Sequence, residues 1–269
     1  PERRQFFIEN SDLFGDFGNG RDGNPFFSRR IGIAKDKDGN SIENGIVAGA
    51  RLSGKLTNDL RLGILSVQTE EDVANEIPAT NNSVIAVQQK LFSRSNISFL
   101  FINKQATKDY SFLQEEDTYN RVIGVDYNLA SKDNTWNGRY YIHKSFSPTT
   151  NGNDISAGVS TEYNSRDFKI RLIGLYIEDD FRSDLGFIRR TDIFKINPSF
   201  EYTIYPKKGN IQKHSLSVIP IFIWKPELGY ENSDYTLISK WKMSFNNTSE
   251  LEFSMFNRLK TALFKLHTR

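Results

Sequence analysis

The chain has 269 residues, of which 38% are hydrophobic, 25% charged and 13% aromatic, and it contains no cysteine. Lysine and arginine number 35 against 33 acidic residues, a net charge of +2. Because no strongly basic field exists to neutralise phosphates, nucleic acid is excluded as a partner. The absence of cysteine excludes disulfides, thiolate metal sites and a cysteine nucleophile. No stretch reaches the ~20 apolar residues of a membrane-spanning helix.

Residues 1–44 form the first predicted region. They are rich in glycine, aspartate and asparagine, the composition of turns and loops. The region also carries a set of aromatic residues, namely Phe6, Phe7, Phe14, Phe17, Phe26 and Phe27. We expect it to be a plug or linker, folded into a lumen or against one rim of the second region, residues 45–269.

Twelve strands are predicted in the second region, because aromatic and β-branched residues recur there with a period of two. The predicted spans are 45–56, 60–70, 83–92, 97–104, 119–130, 135–146, 155–164, 168–178, 192–205, 211–225, 235–245 and 250–258. In the fifth of these, Ile123 and Val125 lie on one face, whereas Asn120 and Asp126 lie on the other.

Short polar turns alternate with longer connections between these strands. The short turns begin at 57, 93, 131, 165, 206 and 246, and the long connections span 71–82, 105–118, 146–154, 179–191 and 226–234. Outer-membrane barrels have short periplasmic turns and longer extracellular loops, whereas a soluble β-sandwich has no reason to segregate them. We therefore predict an all-β, antiparallel transmembrane β-barrel of at least twelve strands in the cell outer membrane.

A mean hydropathy of −0.52 is compatible with a barrel, because lipid covers the outer face while the lumen tolerates charge. The predicted lumen-lining residues are Arg51, Lys55, Arg61, Arg139, Glu162, Lys169, Arg171 and Glu201. The predicted membrane-interface aromatics are Trp136, Tyr140, Trp224, Tyr235, Trp241 and Phe245. In a soluble fold the same aromatic residues would form a core.

Three features do not fit a simple closed barrel. Pro220 would remove a backbone donor from the predicted strand 211–225, and that strand is apolar on both faces. Residues 264–269 do not form a clean last strand, so we expect closure to use further residues or another chain. Because the chain begins at Pro1, we also expect it to be a processed or truncated piece.

Five stretches together resemble a known family. They are PERRQFFIE (1–9), FSRRIG (27–32), GARLSGK (49–55), YNRVIGVD (119–126) and GFIRRTD (186–192). The chain resembles the C-terminal β-barrel domain of unknown function found in outer-membrane proteins of Bacteroidota, where it usually follows a carbohydrate-binding family-nine-like module. The resemblance implies an outer-membrane location and a barrel architecture, and it carries no established reaction.

His143 and Ser145 are the strongest candidates for catalysis, because positions i and i+2 of a strand share one face. A histidine that activates a serine is the arrangement used for acyl transfer, and outer-membrane phospholipases resemble this spacing. Asn151 or Asn153 would orient the imidazole. Arg139 and Tyr141 lie on the same face and suit a polar lumen, however, so we favour a lumen position and predict no catalytic residue.

Other charged motifs are weaker. Residues 36–43 resemble a calcium loop with its glycine at the wrong position, so a polar turn is favoured. The acidic residues 178–180 with Asp184 are interpreted as a solvated loop, and the pairs Arg29–Arg30 and Arg189–Arg190 as partners of carboxylates or lipid phosphates. No metal or cofactor is predicted.

The predicted function is non-enzymatic: passage of solutes, or a role as a component of a larger outer-membrane assembly. The expected partners are outer-membrane lipid and other subunits of such an assembly. Two alternatives stay open at this point. One is an outer-membrane hydrolase that uses His143 and Ser145, and the other is a soluble β-sandwich binding module.

Overall fold

The computed structural model describes residues 4–150 and 152–260. Asn151 and residues 264–269, both singled out above, lie outside the described residues. Helices are short: α1 spans Gln5–Ile8, α2 spans Ser11–Gly15, and 3₁₀ turns lie at Ser28–Arg30, Val73–Asn75, Glu115–Asp117 and Pro226–Leu228. Within the described part of the chain, no helix has the length and apolar character to cross a membrane.

Strands make up most of the remaining described residues. They are β1 Gly23–Asn24, β2 Ile33–Lys35, β3 Ser41–Glu43, β4 Ile46–Lys55, β5 Leu60–Thr69, β6 Thr80–Leu91, β7 Ser95–Ala106, β8 Tyr119–Ala130, β9 Trp136–Phe146, β10 Ile155–Asn164, β11 Phe168–Ile177, β12 Phe187–Ile188, β13 Ile193–Ile204, β14 Ile211–Lys225, β15 Glu231–Phe245 and β16 Glu250–Lys260.

Twelve of these strands form one sheet in the order β4-β5-β6-β7-β8-β9-β10-β11-β13-β14-β15-β16. Each strand is therefore bonded to its neighbours along the chain, apart from the short β12, which pairs with β1. The pair β2–β3 is a separate hairpin. Within the described residues β4 and β16 are the two edges of the sheet and do not pair with each other.

The predicted strand content is confirmed. All twelve predicted spans correspond to strands of the large sheet, and the ends agree to within four residues, the largest difference being the start of β15 at Glu231 instead of 235. The class is all-β and antiparallel, as expected from the period-two pattern. Closure of the sheet and its insertion in a membrane stay predictions.

One predicted connection is wrong. The long connection expected at 226–234 shortens to residues 226–230, because β14 and β15 continue as a hairpin to Lys225 and Glu231. Gly229 and Tyr230 make the turn with φ of 68° and 62°, a left-handed conformation that allows a tight reversal. The strict alternation of short and long connections therefore fails at this last position.

Pro220 lies inside β14 and does not break it. The β13–β14 pairing runs through Ile196↔Phe222 and Phe200↔Val218 and has no partners between them. The constant register places Pro198 opposite Pro220, so two residues without a backbone N–H face each other. Asn197 Nδ2 donates to the Pro220 carbonyl at 3.1 Å and compensates part of this gap in the ladder.

The described residues divide into two compact units. Unit 1 comprises residues 4–127, 141–157 and 177–191, apart from Asn151, and unit 2 comprises 128–140, 158–176 and 192–260. The strands β4–β7 belong to unit 1, and β13–β16 belong to unit 2.

The core of unit 1 is formed between residues 4–31, here called the N-terminal segment, and one face of the sheet. The buried side chains of the segment are Phe7, Leu13, Phe14, Phe17, Phe26 and Ile31, and those of the sheet include Leu65, Val67, Val84, Ala86, Leu100, Ile102 and Val122. Helix α2 packs against β5 and β6. Burying these side chains is the main source of stability in this unit.

Glycines on the sheet make room for aromatic rings of the N-terminal segment. A Cβ atom at Gly63 would lie 2.6 Å from Phe14 Cζ, and one at Gly49 would lie 3.2 Å from Phe6 Cζ. Both distances are tighter than normal van der Waals contact, so a larger residue there must displace a ring. The segment therefore fits the sheet through positions that only glycine can occupy at this spacing.

Replacing Gly63 with valine should lower the free energy of unfolding of unit 1 by about 1–3 kcal/mol, because Phe14 is buried and cannot move aside freely. The measurement is chemical unfolding of the purified protein. Gly54→Val on the neighbouring strand β4 is the matched control, since nothing lies within 4 Å of its Cβ position. Equal losses for the two variants would contradict the packing described here.

Candidate functional site

Charged side chains of β4 and β5 hold the N-terminal segment on unit 1. Arg61 makes a two-pronged ion pair with Asp12, with N–O distances of 2.7 and 3.1 Å. Arg51 donates to the Phe6 carbonyl, and its guanidinium lies 4.8 Å from the centre of the Phe14 ring. Two of the residues predicted to line a lumen therefore contact the segment instead of open space.

Lys55, also predicted to line a lumen, is exposed at the edge of unit 1. It borders a small cleft of about 330 Å³ together with Arg61, Gln88, Lys90 and other polar residues. Lys55 and Arg61 are register partners on β4 and β5, so both point to the face that the segment covers.

A buried acid–base pair forms the centre of the site. Asp126 on β8 and His143 on β9 are 0% and 1% exposed, and the distance from Oδ1 of Asp126 to Nε2 of His143 is 2.7 Å. The other carboxylate oxygen accepts the backbone N–H of Gly18 at 2.7 Å. Tyr141 stacks on the imidazole at a centroid distance of 4.8 Å. A buried carboxylate with two hydrogen bonds is thus shared by the sheet and the N-terminal segment.

Backbone geometry permits this arrangement. A Cβ atom at Gly124 would collide with the imidazole of His143, so glycine is required opposite the ring. Gly18 has φ of 64°, and a Cβ atom there would lie 2.6 Å from the Gly23 carbonyl oxygen. Gly124 therefore makes room for the imidazole, and Gly18 allows the close approach of the segment to the Asp126–His143 pair.

The two candidate catalytic residues are both buried but face different partners. His143 Nε2 is taken by Asp126, whereas Ser145 Oγ accepts the backbone N–H of Arg182 at 3.1 Å and lies 3.5 Å from the Asp154 carbonyl. Among the hydrogen bonds of the described residues, none joins His143 to Ser145. Asn153, the candidate for orienting the imidazole, instead accepts the backbone N–H of Asp180 through its carbonyl.

A second polar cluster holds the connection 178–186 on unit 1. Arg182 forms ion pairs with Asp117 and Asp184, and Lys104 lies 3.0 Å from Asp184. Asn120 on β8 accepts the Asp184 N–H at 2.9 Å and donates to the Arg182 carbonyl at 3.1 Å. The connection is therefore tied to β7 and β8 through charges and hydrogen bonds together.

The same contacts shift two pKa values. Burial would raise the pKa of Asp184, but Lys104 and Arg182 outweigh burial and hold it below its usual value of 3.8. Burial would lower the pKa of Arg182, but Asp184 and Asp117 raise it above its usual value. Both groups stay ionised at neutral pH.

The Arg182 cluster borders the larger cleft of unit 1. This cleft has a volume of about 640 Å³. Its lining includes the buried polar side chains Thr69, Thr80 and Asn82 and apolar residues such as Ile31, Ile77, Phe181 and Leu185. The volume of this cleft lies in the range of small-molecule sites, but the charged groups that line it are mostly paired with one another.

In unit 2 the remaining residues predicted to line a lumen lie on one face of the strands, here called the ionic face. Glu162 lies 3.1 Å from Lys169 and 3.9 Å from Arg171. Arg139 donates to Asn128 at 2.8 Å, and Glu201 accepts Ser217 at 3.0 Å. Two further ion pairs on this face are Lys240–Glu252 at 3.1 Å and Lys242–Glu250 at 2.8 Å.

The predicted interface aromatics of unit 2 lie on the opposite face, here called the apolar face. Towards one end of β14 and β15, Trp224 packs 5.7 Å from Phe222, which packs 5.2 Å from Tyr235. Trp241 lies 5.8 Å from Phe253. Aliphatic residues separate these groups, which are about 20 Å apart along the strand. The other predicted aromatics on this face are Trp136, Tyr140 and Phe245.

The weaker motifs have structural partners. Asp36 accepts the backbone N–H groups of Asp38 and Asn40 in the β2–β3 turn, which agrees with the predicted polar turn. Arg30 donates to the Gly186 carbonyl at 3.0 Å. Glu178 accepts the Ile155 N–H at 2.8 Å, and no group of acidic or histidine residues in the described ranges could hold a metal ion.

Sequence analysis did not single out Asp126 and Arg182 as residues of the candidate site. Counting back from the 131–134 turn places Gly124 and Asp126 near His143 on the adjacent strand, which was an available signal. No comparable feature of the sequence predicts the contact between Arg182 and Asp117, because the two residues are 65 positions apart.

Removing the Asp126 carboxylate should destabilise unit 1. Asp126→Leu leaves the Gly18 N–H and the buried imidazole without their acceptor, and should cost about 2–4 kcal/mol of unfolding free energy. Asp126→Asn keeps one oxygen for Gly18 and should cost less than half as much. Chemical unfolding measures both, and hydrogen exchange at Gly18 reports whether the segment is released. Equal losses for both variants would exclude the hydrogen-bonding role.

The Asp184 ion pairs should make the connection 178–186 sensitive to acid. The pKa of Asp184 is lowered in the folded state, so its contribution is complete above about pH 4 and is lost as the pH falls through that lowered pKa. Hydrogen exchange of this connection, corrected for intrinsic rates, should therefore accelerate below that pH. Asp184→Asn should abolish the acid dependence, and the neighbouring Asp179→Asn should preserve it. Identical profiles for the two variants would rule out this origin.

Comparison with known proteins gives one family. A family model described as "Domain of unknown function (DUF5916)" matches residues 1–264. No curated protein and no solved structure matches the chain. The match covers both the N-terminal segment and the strands of the large sheet, and so includes all parts of the site described above. The chain belongs to the DUF5916 family of domains of unknown function.

Proposed function

We propose that this protein is an outer-membrane β-barrel without enzymatic activity, through which polar solutes pass along the ionic face. One observation carries the proposal. In unit 2 the strands separate an apolar face, open to the surroundings, from a face that bears ion pairs. A lipid layer outside and water inside is the environment that suits such a sheet.

The exposure of the apolar face supports lipid as its surroundings. Val218 is 46% exposed and Met255 is 62% exposed, and both belong to the set of large, exposed apolar side chains on this face. Water-soluble monomers rarely expose continuous apolar areas of this kind. The backbone groups between these side chains are paired by the neighbouring strands, as a sheet in hydrocarbon requires.

The N-terminal segment is a plug in this proposal. It covers one face of the unit 1 strands, where Asp12–Arg61 and Gly18–Asp126 hold it. In unit 2 the ionic face is lined by partly exposed charges, with the Lys169 and Arg171 side chains each 43% exposed. We therefore assign solute passage to the ionic face and a plug role to the segment.

The edges β4 and β16 favour a second role, as a component of a larger outer-membrane assembly. Unpaired backbone groups are costly in lipid, so each edge needs a partner strand. Residues outside the described part of the chain or another subunit would supply it. The two roles are compatible, because a barrel that is completed by a partner still has a polar interior.

A pair of arginine substitutions tests the membrane orientation. Val218→Arg places a charge on the apolar face and should cost about 2–4 kcal/mol of folding free energy in lipid vesicles. Ser217→Arg, the adjacent residue on the ionic face beside Glu201, should be tolerated. The measurement is folding into vesicles, followed by the heat-dependent shift in electrophoretic mobility. If the wild type stays folded and in solution without detergent, and Val218→Arg does not lower its folding free energy, the result would support the soluble module instead.

Planar-bilayer recordings of the full chain test solute passage. The proposal expects discrete conductance steps from the wild type and from Ser217→Arg. Correctly inserted protein that gives no conductance would refute passage and leave the assembly role. Lipid cleavage that is lost in Ser145→Ala would instead establish the hydrolase alternative.

A further inference from the structure

An apolar strip interrupts the ionic face of unit 2. The register of β14, β15 and β16 places Ile219, Ile238 and Phe256 side by side in one row on this face. Ile221 and Ile223 extend the row along β14, on the same face because they follow at intervals of two. These five residues, Ile219, Ile221, Ile223, Ile238 and Phe256, are here called the apolar strip.

The strip is accessible within the described structure. Phe256 is 65% exposed, and the four isoleucines are half-buried. Along β14 the strip is about 13 Å long, from Ile219 to Ile223. The rest of this face carries ion pairs and serines, which suit contact with water and ions. A continuous apolar row is not expected on such a face, so the row points to an apolar ligand.

Cations border the strip. Arg258 stands in the next row on the same face, opposite Thr236, and makes no ion pair with any described residue. On the other side lies Lys240, whose charge is balanced by Glu252 at 3.1 Å. The far end carries Asp234, which is 7% exposed and accepts a hydrogen bond from Ser233. Arg258 is therefore a cation next to the apolar surface that has no ion pair with a described residue.

We propose that the apolar strip binds the hydrocarbon chain of an amphiphilic anion, whose carboxylate or sulfonate group pairs with Arg258. Guanidinium matches the planar, two-oxygen geometry of such head groups. The alkyl chain lies over Ile219, Ile221 and Ile238, and Thr236 offers a hydroxyl next to the head group. This inference rests on the proposed function, because it names the class of solute that the ionic face takes.

Binding of decanoate, octanoate, decan-1-ol and decylamine to the full chain in lipid nanodiscs tests the inference, with empty nanodiscs subtracted. Decanoate should bind about fifteenfold more tightly than octanoate, because each buried methylene contributes a factor of about four. Decanoate should also bind more tightly than decan-1-ol, and decylamine should bind most weakly. Equal affinity for decanoate and decylamine would overturn the role of Arg258.

Two matched variants separate the head group from the chain. Arg258→Gln should weaken decanoate binding by about tenfold and leave decan-1-ol unchanged, whereas Arg166→Gln, in the exposed turn between β10 and β11, should change neither. Ile221→Ser should weaken both ligands. Unchanged decanoate binding in Arg258→Gln and Ile221→Ser, or no binding above empty nanodiscs, would overturn the inference.

The experiments distinguish failure of the ligand-binding inference from failure of the proposed membrane function. If the strip is covered by another segment or subunit, the wild type does not bind decanoate, yet Val218→Arg still blocks folding in lipid and Ser217→Arg does not. If both arginine variants fold equally well without lipid, the ionic face is no solute path, and the membrane proposal fails with it.

Discussion

The alternation of side chains along each strand is the constraint on which the rest of the structure depends. Neighbouring residues point to opposite faces, so one sheet has to match two different environments at every position. In unit 2 one face carries Val218 and Met255, and the other carries Glu162, Lys240 and similar charges. A shift of one residue in any pairing would exchange these faces, so the pattern also sets the register.

In unit 1 the strands also have two different faces, but one face is covered by protein instead of solvent. Its inward face is covered by the N-terminal segment, which supplies the aromatic half of a core that the sheet alone does not possess. Because this interface excludes water, the buried carboxylate of Asp126 requires hydrogen-bond donors from the protein, and it bonds both His143 and Gly18. The burial of His143 beside Asp126 follows from this requirement.

Sequence reasoning reached the strands but not their long-range partners. The period-two pattern identified all twelve strands, and it separated Trp241 and Tyr235 from Lys240 and Glu201 by face. It did not predict that Pro198 lies opposite Pro220, because each proline alone predicts a break. Only the register shows that the two missing donors coincide and that the ladder tolerates them. The predicted long connection at 226–234 was wrong because β14 and β15 continue to pair beyond their apolar residues. The polar residues 231–234 therefore belong to β15.

The sequence by itself determined the strand positions, the antiparallel all-β class and the division of residues between two faces, because these follow from local alternation and turn chemistry. The tertiary structure alone decided which groups meet: Asp126 with Gly18, Arg182 with Asp117, and Ile238 with Phe256. Such contacts depend on register and chain packing over tens to more than a hundred positions, and local sequence preferences carry no information about those distances.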